Sequence, residues 1–181
     1  KLLKEVYDKQ EEIEKAKAGE ETSIFLKMNS LTDRQLIDAL KEASQAGVKI
    51  KMIIRGICCI LPGIEGKTDN IEVISVVGRF LEHSRIFCFG TGENMKMYIA
   101  SADWMTRNTE NRVEIAGPIY DQKIKNSIYD TLRIMWKDNL KARILCSDGT
   151  YKKPEIKEGD ELIDCQNYLR HEYKVGRKIK L

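Results

Sequence analysis

The sequence lacks a strong charge of either sign, cysteines at metal-ligand spacing, and any long unbroken hydrophobic run. Its 31 basic and 28 acidic side chains leave a formal net charge of only +3. That balance argues against bulk coating of nucleic acid, but leaves room for a local basic pocket. Five cysteines occur (Cys58, Cys59, Cys88, Cys146 and Cys165), an odd number with no CxxC spacing. A zinc site and a disulfide framework are therefore disfavoured. Free thiols packed as small apolar groups suit a reducing cytoplasm. The most apolar stretch, 48–64, is interrupted by Lys49, Lys51 and Arg55, so it does not read as a membrane span. No secretory pattern, internal repeat or low-complexity tract is seen. A first residue of Lys1 reads as a piece cut from a longer protein.

What is present is a globular composition, 42% hydrophobic and 33% charged, over 181 residues. That suggests one domain, or one domain with a small appendage, and a real core. Leu2, Leu3, Val6, Tyr7, Ile13 and Ala16 predict a helix over 1–18, ended by Gly19. A buried strand is expected at 22–29. Thr32 and Gln35 then form a capping-box pattern before a helix through Leu36, Ile37, Leu40 and Ala43, stopped at Gly47. A second strand at 48–55 completes a βαβ unit, whose two strands should be parallel.

Further strands are expected at 71–77, 85–90, 95–101, 111–117 and 141–146. A helix begins near Asp121 and carries Ile124, Ile128, Leu132, Met135 and Trp136 at helical period. Residues 147–161 read as a polar linker, and a short helix over 161–174 would use Leu162, Cys165, Leu169 and Tyr173.

Four places concentrate reactive groups. Arg55 closes a predicted central strand, where ligands of open α/β sheets gather and where a guanidinium can grip phosphate oxygens in a fork. A charge closing a strand at the surface is the plain alternative, and Asn29 ends the neighbouring strand in the same way. His83 and Arg85 stand two apart on one face at the start of a strand. An imidazole can attack phosphorus or move a proton while the cation holds oxygens. The turn 101–108 offers Ser101, Asp103, Thr106, Arg107 and Asn108 to an anion, with Trp104 as packing. Arg112 and Glu114 would share one strand face, where a carboxylate can orient a histidine. Cys58 and Cys59 read as buried packing, and His171 as solvent-facing.

Taken together these segments resemble the phospholipase-D-like superfamily, whose half-site reads His-x-Lys, a strand, then a small polar turn. Here the pattern is His83-Ser84-Arg85 followed by Ser101, with Arg85 in the place of the usual lysine. The strings RGICCILPG (55–63), ISVVGRFLEHSRI (74–86), SADWMTRN (101–108) and NRVEIAGPIYD (111–121) are similar to the second catalytic domain of polyphosphate kinases of the first type. The resemblance covers about 1–146 and, more loosely, the tail. It implies an α/β fold with a phospholipase-D-like mixed sheet, largely parallel, flanked by helices. Residues 147–181 would be a linker and short C-terminal helical tail of the same domain.

By the same resemblance, the terminal phosphoryl of ATP passes reversibly to inorganic polyphosphate through a phosphohistidine in a preceding domain. His83 and Glu114 take catalytic parts. Arg55, His83, Arg85, Arg112, Ser101 and Asn108 form the set that binds ATP and phosphate. Magnesium is expected to sit on the missing part, so no metal ligand is assigned here. ATP or ADP, polyphosphate and the preceding domains are the expected partners. A homo-oligomer, a cytoplasmic setting and peripheral membrane association are expected, and nucleic acid is not. A phosphodiester hydrolase of the superfamily and a non-catalytic polyanion-binding module are the alternatives.

Overall fold

Alternation along two neighbouring strands sets the architecture. In β1 (Ser23–Met28), Ile24, Leu26 and Met28 face one way and Phe25 and Lys27 the other. β1 pairs in parallel with β2 (Lys49–Ile54), from Ser23↔Lys49 to Met28↔Ile54. The helix between them, α2 (Arg34–Gln45), buries Leu36, Ile37, Leu40 and Ala43, as the βαβ reading expects. The computed structural model describes residues 9–175. Helix α1 (Lys9–Lys17) precedes β1, and Leu2, Leu3, Val6 and Tyr7 of the first predicted helix lie outside the described residues.

β3 (Ile71–Val76) adds to β2 in parallel, and β4 (Arg85–Phe89) adds to the other side of β1, antiparallel. β5 (Lys96–Ala100) and β6 (Ala116–Ile119) continue that side. β7 (Ala142–Leu145) and β8 (Tyr151–Lys152) extend the far side. The order of the eight strands is β6-β5-β4-β1-β2-β3-β7-β8. The sheet is mixed as expected, but mostly antiparallel rather than largely parallel. Among the described strands, only the β1–β2 and β2–β3 neighbours are parallel. Part of the reason is that the β4–β5 link (90–95) and the β7–β8 link (146–150) are too short for a crossover.

Helices α1 and α2 cover one face. Helices α4 (Gln122–Trp136) and α5 (Cys165–Lys174) cover the other, through Leu132, Met135, Cys165 and Leu169.

Five local expectations need correction. The N-cap of α2 is Asp33, not Thr32, and its carboxylate accepts from the Leu36 N–H at 3.1 Å. Both Thr32 and Asp33 donate their N–H to the Trp104 carbonyl, which holds the chain extended one residue longer. Residues 111–117 are not one strand: α3 (Thr106–Asn111) comes first, and only Ala116 onward pairs with β5. The polar stretch 147–161 contains β8, turned back on β7 with Gly149 at φ 84°. Finally, Cys59 is exposed and Cys58 half-buried; the buried thiols are Cys88 and Cys165. Leu162 and Tyr173 are likewise exposed, so the tail helix packs through Cys165, Gln166 and Leu169.

Candidate active site

The topology gathers four chain segments at one end of the sheet. Met28 and Ile54 are register partners, so Asn29 and Arg55 leave the ends of β1 and β2 side by side. β4 runs the other way and starts there with Arg85, opposite Ala100 of β5, so Ser101 follows at the same end. A cleft of about 520 Å³ opens at this place. It is lined by Asn29, Ser30, Arg55, His83, Arg85, Ser101, Asp103, Arg107, Asn108, Arg112 and Glu114. All seven residues proposed from sequence thus border one cavity, though they are spread from 55 to 114.

Asp103 is the hub. Its carboxylate accepts from the Asn29 N–H at 2.7 Å and from Asn29 Nδ2 at 3.1 Å. Arg85 reaches it with two prongs, Nε to Oδ1 and Nη2 to Oδ2, each at 3.2 Å. Asn29 in turn accepts from Arg55 Nε at 2.6 Å through its Oδ1. One chain of bonds therefore fixes Arg55 and Arg85 on either side of a single carboxylate. Burial raises the Asp103 pKa, but the bonds from Arg85 and Asn29 outweigh it and hold the group below the usual carboxylate range. Arg85 also donates Nη1 to the His83 carbonyl at 3.1 Å. Three of its five N–H donors are thereby engaged inside the protein.

Glu114 forms a second anchor. It accepts from the Ser101 hydroxyl and from Asn108 Nδ2, the latter at 2.7 Å. The Ser101 and Asn108 bonds lower its pKa, with Arg112 and Arg85 adding to them. Ser101 Oγ also accepts from the Ile115 N–H at 3.0 Å. Glu114 therefore sits on an extended segment tied to the end of β5, not on a strand face shared with Arg112 as expected. The Asn108 side-chain amide oxygen, Oδ1, is buried and has no hydrogen-bond partner among the described residues.

Four guanidinium groups face two carboxylates that stay anionic at neutral pH, which leaves the cleft positive by two charges. His83 is exposed at its rim. Its imidazole is the lining group suited to giving or taking a proton. Among the described residues, no group of three or more His, Cys, Asp or Glu could hold a metal ion. The two cleft carboxylates are bound by arginine, amide and hydroxyl donors, an arrangement ill-suited to a hard cation that needs free carboxylate oxygens.

Sequence reading undervalued Asp103 and Asn29, and missed Lys27 and Gln166, which hold the segment carrying His83. A lysine inside the apolar run IFLKM was the available signal for Lys27; nothing local marks Gln166.

A family model described as polyphosphate kinase C-terminal domain 2 matches residues 2–166. The chain belongs to that family. A polyphosphate kinase of Thermosynechococcus vestitus is 51% identical over 149 residues, covering 82% of this chain and 20% of that protein. The crystal structure of polyphosphate kinase from Porphyromonas gingivalis superposes with a TM-score of 0.88 at 38% identity, over 93% of this chain and 26% of that one. The chain thus spans between a fifth and about a quarter of these relatives. Nuc of Salmonella typhimurium, a phospholipase D family member, shares the fold at TM-score 0.51 and 16% identity, covering 80% of this chain and 91% of its own.

Proposed function

We propose that this domain supplies one half of the active site of a polyphosphate kinase. The complete enzyme moves the terminal phosphoryl of ATP reversibly onto inorganic polyphosphate. The observation that carries this reading is the convergence of Arg55, His83, Arg85 and Arg112 on one positive cleft, from segments far apart in the chain. Phosphoryl transfer asks the protein for positioning and for positive charge on the equatorial oxygens, more than for covalent work. Arg55 donates its Nε to Asn29, and among the described residues its outer nitrogens have no partner; Arg112 is exposed at the rim.

In this reading Arg55 and Arg112 grip phosphate oxygens. Ser101 and Asn108 shape the wall by holding Glu114. His83 donates a proton or hydrogen bond to a phosphate oxygen. Glu114 acts through Ser101 and Asn108, whose hydroxyl and amide donate to its carboxylate. The nucleophilic histidine comes from the preceding domain. Magnesium travels with the nucleotide and is held by other parts of the enzyme, so no step here runs through it. The body 1–146 and tail 147–181 act as one unit, within a cytoplasmic homo-oligomer. Among the described residues no helix is long and apolar enough to cross a membrane.

Turnover of the complete enzyme with His83→Ala tests the reading. A loss on the order of a hundredfold or more is expected for a proton-transfer partner. Unchanged turnover removes His83 from the reaction. The domain alone should make no polyphosphate from ATP, and chain growth by it would refute the half-site.

A further inference from the structure

The segment carrying His83 has little packing of its own. Between Val76 and Arg85 it has no regular structure. Its side chains Val77, Phe80 and Leu81 are 66%, 43% and 72% exposed. A histidine acting on a phosphoryl group must nonetheless be held to within a fraction of an ångström. Two buried side chains outside the cleft provide the hold.

The first is Gln166 on α5, only 6% exposed. Its Oε1 accepts from the Phe80 N–H at 2.8 Å, and its Nε2 donates to the Phe80 carbonyl at 2.8 Å and to Glu82 Oε1 at 3.0 Å. The amide thus pairs with the Phe80 backbone as a strand neighbour would. Gly78 makes room for it, since a Cβ there would stand 2.5 Å from Gln166 Oε1.

The second is Lys27 on β1, 2% exposed. Its Nζ donates to the Ser84 carbonyl at 3.1 Å and to Ser84 Oγ at 2.9 Å, and lies 3.6 Å from Glu82 Oε2. Glu82 therefore bridges the two anchors. Strand alternation places Lys27 on the apolar face of Phe25, where a methionine would pack without a charge to bury. Desolvation accordingly pulls the ammonium pKa down, and Glu82 only partly opposes it.

We propose that Lys27 and Gln166 are positioning residues for His83. Through Glu82 they tie segment 77–84 to β1 and to the C-terminal helix, and so set where the imidazole stands in the cleft. The tail helix then belongs to the working part of the site. This inference rests on the active-site reading above, and its test separates the two.

Lys27→Met and Gln166→Leu keep volume and remove the bonds. In the complete enzyme each should lower kcat on the order of tenfold to a hundredfold, with KM for ATP and polyphosphate within about twofold, since Arg55 and Arg112 are untouched. Amide hydrogen exchange over 77–84 should quicken in both variants. Wild-type kcat, or wild-type exchange over 77–84, in folded variants overturns the proposal. If Lys27→Met does not fold, Gln166→Leu decides by the same readouts. If His83→Ala is also fully active, the active-site reading fails, while the exchange data still judge whether these residues hold the segment.

Discussion

The two faces of the sheet are packed by different rules. On the α2 face, Ile24, Leu26, Met28, Ile50 and Met52 meet Leu36, Leu40 and Ala43, apolar against apolar, while the buried Ser44 of α2 accepts from the Asn70 N–H. On the α4/α5 face, Phe25, Ile53 and Val76 meet Leu132, Met135 and Leu169, but buried polar groups break the pattern. Lys27 and Gln166 hold the His83 segment. Asp138 accepts from the N–H groups of Lys141, Ala142 and Cys165 at 2.7, 2.9 and 2.8 Å, which fixes the start of α5 against the end of α4. The first face is built for stability. The second gives up some apolar contact to hold an irregular segment in a defined place, where directional bonds succeed and hydrophobic packing does not.

Paired substitutions can break this contrast. The largest effect is expected from Leu40→Ala on the α2 face, about 2–5 kcal/mol of stability from lost burial and a cavity, with turnover per folded molecule unchanged. Lys27→Met should do the reverse, leaving the denaturation midpoint near wild type while kcat drops. Equal destabilisation by both, with kcat intact in both, would erase the distinction between the faces.

A smaller effect concerns acid. The folded pKa of Asp103 is depressed, so its contribution to stability is complete above the ordinary aspartate value and is lost as pH falls through the lower folded one. Denaturant midpoints followed down the acid range should therefore show Asp103→Asn converging on wild type, the gap being widest at neutral pH. A gap independent of pH would mean that the carboxylate charge does not matter there. The smallest effect belongs to the α2 cap: Asp33→Ala should cost about 1 kcal/mol in the thermal melt and leave kcat alone.

Much of this was legible in the letters. The βαβ unit followed from the period of Leu36, Ile37, Leu40 and Ala43 between two apolar runs. The helix through Leu132 and Met135 was legible in the same way. The seven proposed site residues were found as strand-end polar groups and by their resemblance to family strings, and all border the cleft. The strand at 111–117 was misread because Arg112, Val113 and Glu114 alternate like a strand yet peel away from β5, held there by bonds from Ser101. The cap was misplaced because the Trp104 carbonyl, far along the chain, accepts from the N–H groups of both Thr32 and Asp33.

Periodicity and turn chemistry are local, so the sequence alone determined most of the longer helices and strands, the apolar side chains inside them, and the family to which the motifs belong. Strand order, the mostly antiparallel sheet and the Lys27–Glu82–Gln166 tie depend on which distant segments become neighbours. That choice is made by packing across the whole chain, and only the tertiary structure decided it.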